Sequence, residues 1–359
     1  IKFMRIEQLT FTRFIAAVAV VIFHFGREVF PFQHPILRPL VFSANIGVSY
    51  FFILSGFVMI IAYNKHPNID YKQFYISRIA RIFPAFLVSI FLMLIYFFLI
   101  GKDVETKNII LQILLIHAWI KEFCLSLNFP SWSLSVEILF YVLFPVLFNF
   151  FYKPVKKQRL YSFILLFWIV SQIIFIVVQH SAQIQPENKK YLPYFPLFHL
   201  NEFFVGNMLG LFLTSKTFRF KSSLLSLAVF LLLLFLLHSS IPSVYFHNGL
   251  LAPVFCLLIF LISTDYWLLS SIFKHKYLVL LGEISYGLYI YQLPVYKLSM
   301  LFFRKVLKLP QTDVLFFICL LILIVTSYVS YKYIETPSVK YAKLYIKKRF
   351  ANQDNSNKD

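Results

Sequence analysis

The feature that most constrains this chain is the repetition, from end to end, of apolar runs on the scale of a lipid bilayer. A helix needs roughly 20 mostly apolar residues to span the hydrocarbon core. Stretches such as Leu224 to Leu237 and Val314 to Val329 contain no charged residue at all. A transmembrane β-barrel would instead show short alternating segments, so continuous runs predict helices. Composition agrees: 14% of the 359 residues are charged and 60% are hydrophobic, whereas a soluble domain carries about 25% charge. The chain has too few polar side chains to cover a globular surface. The expected fold is all-α, a polytopic transmembrane helical bundle.

The runs and their proline breakers predict about ten crossings, at 9–29, 43–63, 80–100, 131–152, 160–180, 197–214, 222–238, 248–264, 278–297 and 313–333. A further piece, 108–120, is too short to cross and is expected to be re-entrant or interfacial. Residues 1–350 are then a single membrane-embedded domain, and 351–359 a polar tail expected to be disordered. Lys2 and Arg5 precede the first run as in a signal peptide, but no small-x-small cleavage pattern follows. That run is read as a retained first helix.

The net charge of +19 invites a nucleic-acid reading. No soluble segment interleaves basic and aromatic residues, so nucleic acid is not an expected partner. With both termini cytoplasmic, roughly two thirds of the 34 lysines and arginines fall on cytoplasmic loops, as the positive-inside rule requires. The expected partner is the bilayer itself, and the expected location a multi-pass position in a plasma membrane, the bacterial inner membrane foremost. Cys124, Cys256 and Cys319 are widely spaced, and the nine histidines show no HxxxH or HExxH pattern. No metal is expected.

Ionisable residues inside apolar helices are costly and commonly functional. Arg13 lies within the first run, and His24 follows eleven residues later. Eleven steps of about 100° return to nearly the same face, about 16 Å further along the axis. Arg13 could snorkel to the inner interface and His24 could be a satisfied interior histidine, but their shared face favours a joint role. Arg78 and Arg81 are three apart at the start of the third run, neighbours on a helix. They suit a bidentate phosphate clamp or simple anchoring at the cytoplasmic interface. Trp132 suits the outer interface. Glu137, one to two turns further in, needs a partner or a proton. Glu202 is a second intramembrane carboxylate, and Gly206 and Gly210 beyond it permit close helix contact. Glu28, one turn after His24, could bond it or sit at the interface.

Taken together, six segments resemble acyltransferase family 3, integral-membrane enzymes that acylate extracytoplasmic sugars and some other acceptors. They are Leu9 to Phe25 with its Arg-x10-His, Tyr50 to Met59, Arg78 to Pro84, Ser131 to Pro145, Glu202 to Gly210 and Gly282 to Val295, in the family's order. The chain departs from the pattern at Thr10, where an Asp is common, at Tyr291, where a His often follows the SYxLYI segment, and at His199, where an Arg is frequent. The resemblance implies an O-acyltransferase that moves an acyl group, acetyl first among candidates, from cytoplasmic acyl-CoA to a hydroxyl of an extracytoplasmic or lipid-linked sugar. It implies Arg13, His24 and Glu137 as catalytic residues and Arg78 and Arg81 as the acyl-CoA clamp.

On this reading Arg78 and Arg81 grip the CoA phosphates, and the pantetheine arm passes Arg13. His24 acts as general base on the sugar hydroxyl, with Glu137 orienting it or stabilising its imidazolium. Covalent acylation of Ser133 or Ser135 is the lesser route, since neither has an evident neighbouring base. The alternative function is a flippase or exporter of a glycan or lipid-linked intermediate, without acyl transfer. No internal repeat supports it.

Overall fold

A computed structural model describes the backbone of residues 6–215, 218–239, 241, 243–310 and 312–356, with side chains at 243, 247 and 350–356 also outside the described set. Lys2, Arg5, Lys216 and Lys358, which entered the charge-asymmetry reading, lie outside the described residues.

The described residues are mostly helical. Its main helices are α1 (Gln8–Phe25), α2 (Gly47–Tyr63), α3 (Tyr71–Leu99), α4 (Trp132–Leu147), α5 (Lys157–His180), α6 (Leu200–Leu213), α7 (Ser223–Leu237), α8 (Ala252–Thr264), α9 (Lys276–Glu283), α10 (Ser285–Leu301), α11 (Asp313–Ser330) and α12 (Thr336–Ser356). Among the described residues the only β pairing is a single bridge between Phe220 and Asp265. The polar tail expected at 351–359 falls at and beyond the end of α12, outside the described residues in its side chains and, from 357, in its backbone.

Each predicted run contains a helix, but helix length does not support a count of ten crossings. Among the described residues six stretches are long and apolar enough to cross: Gln8–Phe25, Ala44–Tyr63, Tyr71–Leu99, Phe129–Tyr152, Lys157–His180 and Asp313–Arg349. Helices α9 and α10 meet at a bend of 51° and make a seventh if they form one span. The runs at 197–214, 222–238 and 248–264 hold α-helices of 14, 15 and 13 residues. At 1.5 Å per residue these reach about 20 to 23 Å, short of a hydrocarbon core of about 30 Å. The missing length goes into tighter or wider turns, such as the 3-10 turn Pro196–His199 and the break at Gly249, whose φ is 89°. The 108–120 piece becomes an eight-residue helix, Thr106–Ile113, followed by the 3-10 turn His117–Trp119.

Packing buries α2 most deeply of the long spans, with Ile53, Phe57 and Ile60 fully buried, and α1 also carries fully buried residues in Ala17 and Val20. The outer helices turn apolar faces outward: Phe163, Leu166, Ile173 and Val177 of α5 are all exposed, an apolar surface suited to lipid. Without a hydrophobic driving force between helices in lipid, close backbone approach becomes the main route to tight packing. Helices α2 and α6 use it. A Cβ on Gly56 would lie 2.2 Å from the Phe203 carbonyl oxygen, and one on Gly206 would lie 2.0 Å from that of Ile53. The close contact expected of Gly206 is thus made with α2.

Three helices carry an internal proline: Pro84 in α3, Pro145 in α4 and Pro294 in α10. Proline lacks an N–H and crowds the carbonyl four residues earlier. In α10 that carbonyl belongs to Ile290, and Asn128 Nδ2 donates to it at 3.1 Å from outside the helix. A broken helical bond thereby ties α10 to the segment leading into α4.

Candidate active site

Helices α1, α2, α3, α4 and α10 enclose a cavity of about 150 Å³. Arg13 enters it from α1, Arg78 and Arg81 from α3, Ser133 and Glu137 from α4, and Tyr286 and Tyr289 from α10. Four of the five residues singled out in the sequence therefore share one space, although they come from three helices. The local reasons are legible. Asp70 caps α3 by accepting from the Gln73 N–H at 2.8 Å, so the helix begins nine residues before the predicted run. The RxxR pair consequently sits in the third turn of α3, not at its start, and i,i+3 spacing turns both guanidiniums to one side.

The cavity is cationic. Three guanidiniums line it against one carboxylate, Glu137. Arg13 feels the like charge of Arg81 and the opposite charges of Glu283 and Glu137. Glu335, which accepts from Ser330 Oγ at 3.2 Å, lies in reach of Arg81 and Arg13. Even so, among the described residues no ion pair within 4.0 Å joins these arginines to Glu137. Arg78 is held by ring faces, its guanidinium carbon 5.2 Å from the Phe74 centroid and 5.4 Å from that of Tyr141. Such contacts hold a cation by its face, and the Tyr63 side chain also hydrogen-bonds the Arg78 guanidinium. Its Nε is buried and has no hydrogen-bond partner. Arg81 is exposed, so the cationic end of the cavity reaches the surface.

Glu137 is held by its own helix. The Tyr141 hydroxyl, one turn on, donates a hydrogen bond to Glu137 Oε1. This corrects the expectation that Glu137 orients His24: the structure does not bring the two together. His24 is absent from the cavity lining. Its Nδ1 bonds Gln292 Oε1 at 2.7 Å, and the Phe129 ring packs edge-on against it at 4.7 Å. Tyr289 links the two places. Its ring lines the cavity, its hydroxyl donates to the Pro130 carbonyl at 3.0 Å, and its own carbonyl accepts from Gln292 Nε2 at 2.7 Å. Glu28 is exposed and is not the partner of His24.

A charged, membrane-embedded cavity with an unspent guanidinium donor suits an anionic ligand, and comparison with known proteins names the chemistry. The family model described as an acyltransferase domain, acyltransferase family 3, matches residues 6–332. The chain belongs to acyltransferase family 3. It is 26% identical to the acyltransferase MdmB of Streptomyces mycarofaciens over 80% of this chain and 78% of that protein. It is also 26% identical to the peptidoglycan O-acetyltransferase OatA of Listeria monocytogenes, over 81% of this chain and 51% of OatA. A Staphylococcus aureus (strain COL) protein, provisionally named an O-acetyltransferase, is 25% identical over 94% of this chain and 58% of its own length. The chain thus spans little more than half of these last two. No solved structure matches. This chain is therefore a multi-pass membrane acyltransferase.

Two further polar clusters of the acyltransferase lie outside the cavity. His199 Nδ1 and Glu202 Oε2 are 2.7 Å apart, both side chains fully buried, and His199 Nε2 bonds the Pro193 carbonyl at 2.9 Å. Trp132, expected at the outer interface, is instead buried with its ring 5.2 Å from that of His199. The second cluster supplies what the sequence did not reveal, a histidine beside a serine of α4. His117 Nδ1 lies 3.3 Å from Ser135 Oγ and its Nε2 lies 3.2 Å from Ser131 Oγ. All three are buried and none lines the cavity. Ser133, which does line it, donates to the Pro130 carbonyl at 3.1 Å. Tyr141, Tyr289, Gln292 and His117 were not legible as partners. Only Tyr141 left a signal, its i,i+4 spacing from Glu137.

Proposed function

We propose that this acyltransferase moves an acetyl group from cytoplasmic acetyl-CoA to a hydroxyl of an extracytoplasmic or lipid-linked sugar. The observation that carries the reading is the convergence of Arg13, Arg78, Arg81 and Glu137 on one cavity, with Arg78 Nε buried and unpartnered there. Relatives named as O-acetyltransferases, one of them acting on peptidoglycan, support the acetyl donor and the glycan acceptor. The excess of Lys and Arg on one set of loops supports cytoplasmic termini, in the inner membrane of a bacterium. Family membership does not favour the exporter alternative.

The donor supplies an activated thioester, and the residues do the rest. Arg78 and Arg81 bind phosphate oxygens as charge-assisted donors, at the end of the cavity that meets the surface. Arg13 lines the inner path. Glu137, fixed by Tyr141, offsets part of the repulsion among the three guanidiniums and keeps the site ready for an anion. His24 takes the proton of the acceptor hydroxyl as its oxygen attacks the thioester carbonyl. The carbon–sulfur bond then breaks, and the proton leaves with the CoA thiol. General-base assistance of this kind contributes roughly 10²–10⁴-fold.

The test compares cells producing the wild type or His24→Ala at equal membrane levels, measuring base-labile acetyl esters on envelope glycans. The expected outcome is a loss of about 100-fold or more. Esters at the wild-type level would refute His24 as the base.

A further inference from the structure

The reading of His24 as base leaves open which ring nitrogen does the work, and two hydrogen bonds answer that. Neutral imidazole has one N–H and one lone pair, and the partner of one nitrogen decides the state of the other. Here Nδ1 faces the Gln292 side chain at 2.7 Å. An amide end could be oxygen or nitrogen, so the rest of that amide must be traced. Its other end lies 2.7 Å from the Tyr289 carbonyl oxygen. A carbonyl can only accept, so the group facing it is the NH2, and the group facing His24 is the oxygen. Flipping the amide would set two acceptors against each other in a place where Gln292 is 1% exposed and water cannot intervene.

We infer that Gln292 is a positioning residue that fixes the proton of His24 on Nδ1, leaving Nε2 as the nitrogen that takes the acceptor's proton. Among the described residues Nε2 makes no hydrogen bond, so its lone pair is not engaged by the protein. The inference deepens the proposed function and rests on His24 being the base. Gln292 thereby holds the place that the sequence reading gave to Glu137, but as a neutral acceptor. A neutral partner orients the ring without stabilising imidazolium as a carboxylate does. Among the described residues, the charged group nearest in effect to the ring is Arg27, with Glu28 exposed beyond it and the Tyr296 ring on α10 stacked on Phe25 at 4.1 Å.

The test has two readouts. Protein labelled with ¹⁵N-histidine in nanodiscs reports the tautomer, and the His24 signals are identified by their disappearance in His24→Gln. Membrane vesicles given radiolabelled acetyl-CoA report label transfer to envelope glycan across pH. In wild type the pyrrole-type nitrogen is expected to be Nδ1. Gln292→Met is expected to mix the tautomers and to slow transfer at least 10-fold. Gln292→Glu, whose protonated oxygen can donate to the Tyr289 carbonyl while the other oxygen accepts, is expected to restore the Nδ1–H form and most of the transfer rate. A wild-type His24 protonated on Nε2 would overturn the inference, as would wild-type transfer rates in Gln292→Met. If His24→Gln itself transfers normally, the base assignment fails while the tautomer result stands, so the two failures are distinguishable.

Discussion

Glu137 on α4 and Glu202 on α6 both carry a carboxylate into apolar helices, and their surroundings differ in kind. Glu202 is fully buried, bonded to His199, which is bonded in turn to the Pro193 carbonyl. That chain runs from carboxylate to backbone inside the protein and away from the cavity, although Glu202 Oε1 is buried without a hydrogen-bond partner. Glu137 is half-buried and fixed by Tyr141, beside three arginines with which it forms no contact ion pair. The comparison teaches that an intramembrane charge is not by itself a site. A paired, sealed charge is part of the packing, whereas unmatched cations around a cavity are poised for a ligand's charge.

The largest effect that could break this contrast is on folding. His199→Ala leaves the Glu202 carboxyl buried without its partner, a loss of about 3–5 kcal/mol for a broken buried pair. The expected result is a much lower unfolding temperature in detergent and reduced membrane levels. Glu137→Gln is expected to unfold near the wild-type temperature while slowing transfer about 100-fold, because it alters charge in the cavity and not the packing. Thermal unfolding and transfer rates measured on both variants check this. A stable His199→Ala or an unfolded Glu137→Gln would erase the distinction.

A third carboxylate, outside the spans, sharpens the comparison with a smaller effect. Asp265 follows α8 and accepts from Ser222 N at 2.9 Å, Ser223 Oγ at 2.9 Å, Trp267 N at 3.1 Å and Ser270 N at 2.9 Å. Burial pushes its pKa up, but these donors outweigh it and hold the carboxyl below the ordinary range. Its stabilisation is therefore complete above about pH 4, the unfolded value, and is lost as pH falls through the lower folded value. Asp265→Asn is expected to unfold at a lower temperature than wild type at pH 7, with the gap closing in acid. A gap independent of pH would show that the carboxylate charge plays no part.

Much of this arrangement was readable in the sequence, for reasons of period and cost. Apolar runs gave helices because lipid leaves the backbone no other way to satisfy its hydrogen bonds. Intramembrane charges marked Arg13, Arg78, Arg81 and Glu137 because such residues are rarely idle. Helix length does not confirm the crossing count, because hydropathy does not register where a run spends residues on 3-10 or π turns, as at Pro196–His199 and Phe246–Leu250. Partner identity was also hidden. His24 and Gln292 are 268 residues apart, and no local periodicity links α1 to α10. Glutamine, being neutral, carried no mark of expense to draw notice.

The central claim is that the arginine-lined cavity receives acetyl-CoA, and ligand-induced stabilisation in detergent tests it most directly. A ligand at 100 times its dissociation constant stabilises the folded state by about 2.7 kcal/mol. The account predicts a saturable rise in the wild-type unfolding temperature with acetyl-CoA, and no rise in Arg78→Ala/Arg81→Ala that unfolds normally without ligand. An equal rise in that variant, or none in folded wild type at millimolar acetyl-CoA, would contradict it.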